Sequence, residues 1–177
     1  ERGSLWVIFD AWFHAVSGNL DAATAAADEF DLESFLGEER QQNHWILAST
    51  AVLVAQFTGR TQWAAPLAAW FGEQPEASVH FGQTMFLGFG WHYLGIAESM
   101  LEGAEHKEAA VQALATAANR SARVDATPWR LFAEVELARL GVGSDGRGDA
   151  DPSAIAAEAQ DRGLTLLAKG ARSLARA

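Results

Sequence analysis

Four glycines set the spacing to which the rest of this sequence must conform. Gly18, Gly59, Gly103 and Gly141 fall 41, 44 and 38 residues apart, each closing a segment rich in aromatic and branched apolar residues. Glycine ends helices readily because it enters the left-handed backbone region without steric cost. The first three are followed directly by alanine-rich text, where small side chains let a second helix approach closely. Such a unit buries its apolar face only by stacking on its neighbours, as helical solenoids do. The expectation is an all-α chain of about four helical hairpins, one domain over residues 1–177, closed by a C-terminal capping helix.

The segments between the glycines agree with this period. Trp6, Phe9, Trp12 and Phe13 sit three and four apart, as on a buried helix. After Gly18-Asn19, Asp21 is a candidate cap for a helix through Ala22, Ala23, Ala26 and Ala27. Residues 31–39 are acidic and loop-like, with room for a short helical turn. A second apolar run extends from His44 to Phe57, and its partner helix carries Pro66 in its first turn or at a kink. Residues 72–81 read as a linker. The third unit is the richest: a helix from Gly88 through Trp91, Tyr93 and Ile96, the turn at Gly103, then a stripe of Ala109, Ala110, Ala113, Leu114 and Ala117. Residues 119–127 link onward to a helix opened by Pro128 and capped by Thr127 or Asp125. The polar, glycine-dense residues 143–151 read as an insertion. Pro152 opens a further helix, and Gly163 separates it from the last, with Leu166, Leu167, Ala171 and Leu174 on one side. No strand alternation competes with this pattern.

Composition narrows the function classes. Thirteen basic against 23 acidic residues give a net charge of −10, which disfavours nucleic acid and anionic membrane, since phosphate binding runs on clustered Lys and Arg. No apolar run approaches membrane-spanning length. Cysteine is absent, so disulfides, thiolate metal sites and cysteine nucleophiles are excluded. The chain opens on Glu1 with no targeting pattern, which reads as a cytoplasmic piece of a larger protein.

Reactive motifs are weak. The five histidines lack the i, i+4 spacing of a helical metal site, so neither a metal nor any other cofactor is expected. The run from Gly141 to Gly146 matches a dinucleotide fingerprint by letters, yet it follows a helix where the mechanism needs a strand. Arg147-Gly148-Asp149 and the sequon Asn119-Arg120-Ser121 read as accidents of composition. Carboxylates are many but look unpaired, with Glu134 and Glu136 on opposite faces of one helix. The seven tryptophans read as core rather than as a ligand cage.

Trp91-His92-Tyr93-Leu94-Gly95, then Gly103, Ala109 and Ala113-Leu114, then Thr127-Pro128-Trp129 with Ala133 and Leu137-Ala138-Arg139-Leu140, resemble the tetratricopeptide-like (TPR-like) region of large bacterial signalling ATPases. Those proteins join such repeats to adenylate or guanylate cyclase domains, or to LuxR-type or activator-type DNA-binding domains. The resemblance is best over residues 82–168. It implies a right-handed α–α superhelix and a non-catalytic interaction or regulatory module, whose partner is a protein or a neighbouring domain of the same polypeptide, without direct contact to nucleic acid. An inducer-sensing domain, or the C-terminal part of an ATPase or cyclase, are the alternatives. In the tetratricopeptide register, positions ten and six before each turn glycine face a partner groove. Here these are Ile8 and Trp12, Ser49 and Leu53, Tyr93 and Ala97, Leu131 and Val135.

Overall fold

The computed structural model describes residues 4–38, 41–81, 85–143, 146 and 148–176. They fold into ten α-helices and one two-stranded sheet, grouped by their contacts into two compact units, Glu1–Leu101 and Glu102–Ala177.

The first unit begins with α1 (Ser4–Val16), which buries Val7, Ile8, Ala11 and Ala15 on one side. Gly18 turns the chain at φ +79°, and Asn19, rather than Asp21, caps α2 (Leu20–Asp28) by accepting from the Ala22 amide. Ala23 and Ala27 of α2 are fully buried, and their lack of bulk lets α1 and α2 lie close. The acidic stretch contains a short helix, α3 (Leu32–Gly37), capped by Asp31. Next comes α4 (Gln42–Thr58), which packs chiefly on α1 and α6 (Gly90–Ser99). Its buried Ser49 and Thr50 hydroxyls both donate to the Ile46 carbonyl at 2.8 Å, so no hydroxyl is stranded in the core. Gly59 ends α4 in the left-handed region, and a 3-10 turn (Thr61–Trp63) leads into α5 (Ala64–Gly72). Pro66 lies in the first turn of α5, where a missing amide costs nothing.

The linker expected over residues 72–81 instead contains a strand. β1 (Ser78–Phe81) pairs antiparallel with β2 (Met85–Phe89), in the register His80 to Phe86 and Phe81 to Met85. Val79 alternates inward and is fully buried. The helix expected from Gly88 accordingly begins at Gly90. Gly88 has φ +96°, which no helix accommodates, and the Gly90 amide donates to the Ala77 carbonyl across the base of the hairpin. The boundary between the units falls before Gly103, so the third predicted hairpin is divided. Helix α6 packs with α5 and α4, whereas α7 (Ala104–Arg123) packs with α8 (Thr127–Arg139).

In the second unit α7 buries Ala110, Ala113, Leu114, Ala117, Ala118 and Ser121, the expected stripe carried three residues past the expected stop, into what read as a linker. Pro128 occupies the first turn of α8 as expected, but Ala126 stands at the cap and supplies no side-chain bond. Asp151 caps α9 (Pro152–Asp161), Gly163 turns at φ +73°, and α10 (Thr165–Leu174) packs back on α9 and α8. Their shared core holds Leu131, Val135, Ile155, Ala159, Ala168 and Ala171. Ser144, Asp145 and Arg147 lie outside the described residues, and with them parts of the fingerprint-like run, the Arg-Gly-Asp triplet and the expected insertion. Asn119 of the sequon is exposed within α7, while Ser121 is buried. No helix among the described residues is long and apolar enough to cross a membrane.

Candidate functional site

Six of the eight residues expected to face a groove are core residues. Ile8, Ser49, Tyr93, Ala97, Leu131 and Val135 are buried, and only Trp12 and Leu53 reach solvent in part. A groove needs side chains that a partner can touch, so these six positions do not supply one. Tyr93 is an instance. Its ring stacks on Phe71 at 5.5 Å, its hydroxyl donates to the Leu87 carbonyl, and Ser49 hydrogen-bonds it as well. Burial pushes its ionisation well above the ordinary range, and the Ser49 bond offsets little of this. The structure thus brings Ser49 and Tyr93 together, as part of the packing. Leu131 and Val135 belong to the core of the second unit.

The histidines found other employment. Nδ1 of His44 accepts from the Gln41 amide at 3.0 Å, and Nδ1 of His92 accepts from the Phe89 amide at 3.1 Å, so each closes the first turn of its own helix. Among the described residues no three His, Cys, Asp or Glu side chains gather as a metal site. The tryptophans divide. Trp63 and Trp70 are buried and Trp45, tilted against Trp70 with ring centroids 4.6 Å apart, is half-buried, but Trp6 is mostly exposed, against the core expectation.

A cleft lies elsewhere in the first unit, where the acidic stretch meets α5. Phe30 follows α2, in the turn that leads to α3, and its ring meets Trp63 edge-on at 5.8 Å and Phe35 at 5.4 Å. Arg60 lies over Trp63, its guanidinium carbon 5.1 Å from the ring centroid, and donates to the Thr24 carbonyl at 2.8 Å and to Asp28. These contacts fix the indole as one wall of a cleft of about 480 Å³, lined by Phe30, Asp31, Leu32, Glu33, Leu36, Gln62, Trp63 and Pro66. Phe30, Leu32 and Trp63 form a buried apolar floor, while Asp31, Glu33 and Gln62 stand exposed at the rim. A pocket of this size accepts a bulky apolar side chain or a small molecule, and its two carboxylates favour a cation beside it. The acidic run was visible in the sequence. Its apolar floor was not, because Phe30 and Trp63 are 33 residues apart.

Carboxylates expected to be unpaired are paired in the second unit. Arg130 bonds Glu134 one turn along α8 at 2.7 Å and also Glu158 on α9; Glu136 pairs with Arg139 at 3.2 Å. Burial raises the Glu134 ionisation above its ordinary value, and Arg130 only partly reverses this. For Arg130, burial alone would weaken protonation, but the two glutamates more than offset it. This is a strut between helices. No protein-family model, curated protein or solved structure compared with the chain matches it.

Proposed function

We propose that this chain is a non-catalytic docking and regulatory module of the TPR-like kind found in large bacterial signalling ATPases, its hairpins stacked as a right-handed α–α superhelix. The observation that carries the docking reading is the cleft beside Trp63: an apolar floor with an acidic rim, built on an indole that Phe30 and Arg60 hold in place. The occupant that suits it is a segment of a protein partner, or of a neighbouring domain of the same polypeptide, presenting a Leu- or Phe-sized side chain beside Lys or Arg. The resemblance of residues 82–168 to such repeats supports the choice of a signalling parent.

Fluorescence anisotropy with a labelled Leu/Lys amphipathic peptide tests this, a Leu/Glu peptide of the same length serving as comparison. Glu33→Lys and Leu36→Asp are expected to weaken Leu/Lys binding about tenfold, as hot-spot truncations do. Glu108→Lys, the same charge change on the exposed face of α7, is expected to leave it unchanged. Equal weakening by all three would reduce the effect to net charge and sink the docking reading. A second reading, an inducer-sensing pocket, is favoured by the cleft volume, which lies in the range of small-molecule sites. A melting shift with a cationic metabolite, lost in Leu36→Asp, would select it.

A further inference from the structure

Helix α1 is apolar on two sides. Val7, Ile8, Ala11 and Ala15 face inward and are buried, which fixes the rotation of the helix. The opposite side then carries Trp6 and Phe13, 68% and 60% exposed and in line two turns apart. Phe9 and Val16 flank them, giving the 6, 9, 13, 16 spacing of a helix that faces another helix. Eight large apolar side chains are exposed among the described residues, and three of them, Trp6, Phe13 and Val16, fall on this one helix. That is a patch rather than scatter.

We propose that two copies of this chain pair through this outer face of α1, independently of the cleft beside Trp63. Area supports it. An aromatic side chain carries ~150–250 Å², so the two rings alone leave roughly 250 Å² of apolar surface in water. A standard interface takes ~800 Å² from each partner around such a centre. With Phe9 and Val16 the face furnishes that centre, and Asp10 and His14 at its edge begin the polar rim.

Charge selects a second copy as the occupant. A chain of net charge −10 repels itself over much of its surface, but α1 contains one acid, Asp10, and His14 lies one turn from it at 3.9 Å. Two such faces meet with little repulsion, and a two-fold contact asks only that one patch complement itself. A lipid surface is a poor match, since interfacial helices hold anionic headgroups with Lys and Arg, and α1 has neither.

Sedimentation equilibrium of the 177-residue chain should give twice the 19.0 kDa chain mass, with the Kd for dimerisation raised about tenfold or more in Trp6→Glu/Phe13→Glu. Val124→Glu, at an exposed apolar residue elsewhere, should leave the dimer intact. A wild-type chain that stays at one chain mass up to its solubility limit overturns the proposal, as does a dimer that survives the double substitution. The absence of native cysteine permits a second test should the double variant fold poorly. Asp10→Cys should cross-link efficiently with a short bismaleimide and Ser173→Cys should not; equal yields, or none, overturn the pairing.

Discussion

The Tyr93 hydroxyl donates a 2.5 Å hydrogen bond to the main-chain oxygen of Leu87, six residues earlier, and so fastens α6 to β2. Because the ring is buried against Phe71, water cannot replace the bond once it is removed. Tyr93→Phe should therefore cost about 1–2 kcal/mol, and Tyr93→Ala about 3–5 kcal/mol through the cavity it adds. Urea denaturation reads both as lower midpoints with an unchanged slope.

The same burial makes stability depend on alkaline pH. Native Tyr93 ionises well above the unfolded value of about 10. The stabilisation is thus complete below pH 10 and is lost as pH climbs from there toward the raised native value, because only the unfolded chain releases the proton. Tyr93 is the sole tyrosine, so the phenolate band in a pH difference spectrum, read against Tyr93→Phe to remove the tryptophan contribution, belongs to it alone. Ionisation that coincides with unfolding, and a flatter alkaline stability profile in Tyr93→Phe, are the expected results. A reversible titration near pH 10 in folded protein would contradict them.

Glycine, which alone lacks a Cβ, made the turns readable: Gly18, Gly59, Gly103 and Gly141 all have positive φ, as their spacing implied. The alanine stripe of α7 was readable for a similar reason, since a helix period projects directly onto one packed face. The β-hairpin was not, because Ser78–Phe81 is only four residues long and its apolar neighbours run straight on into α6. The groove positions failed for a different cause. A rule counting back from the turns assumes that first helices keep one face open, but α4 packs against α1, α2 and α6 and buries Ser49 among them. The cleft depends on Phe30 meeting Trp63, a long-range contact that no local pattern encodes.

Gly90 is required by space. A Cβ there would stand 3.0 Å from the Pro75 carbonyl oxygen and 3.2 Å from its Cα, both main-chain atoms of a residue that the Trp91 amide holds in position by donating to its carbonyl at 3.1 Å. Gly90→Ala should cost about 1–3 kcal/mol as an overpacked contact. Gly72→Ala, with nothing within 4 Å of the new methyl, should be neutral or stabilise by up to about 1 kcal/mol. Chemical denaturation of the two variants side by side checks the contrast, and equal effects would refute the steric account.

Arg60 holds the wall of the cleft through its contacts with Thr24 and Trp63 more than through its ion pair. Its side chain is largely buried, whereas Asp28 is 67% exposed, so water already screens the carboxylate. Asp28→Asn should lower stability by less than about 0.5 kcal/mol. Arg60→Ala should cost about 1–3 kcal/mol, removing the Thr24 bond and the packing of the guanidinium on the indole. Arg60→Lys should recover little of this, because an ammonium lacks the planar fork and the stacking face. A Lys variant as stable as wild type, measured in urea, would return the ion pair to first importance.

In the second unit Arg130 ties Glu134 to Glu158, joining α8 to α9. Arg130→Met should cost about 1–3 kcal/mol, less than for a fully dry pair because Glu158 is partly solvated. The pH dependence distinguishes the cost of burial from the benefit of pairing. Glu134 has a native ionisation raised above its unfolded value, so burial outweighs its bond to Arg130. Its contribution is then most favourable below the ordinary glutamate value of about 4.3, and declines as pH rises through the raised native value. Glu134→Gln removes that titration and keeps an acceptor for Arg130. The stability of wild type minus that of Glu134→Gln should therefore fall between pH 4 and neutrality. A difference that instead grew with pH in favour of the wild type would mean that the charge on Glu134 stabilises α8 more than its burial costs.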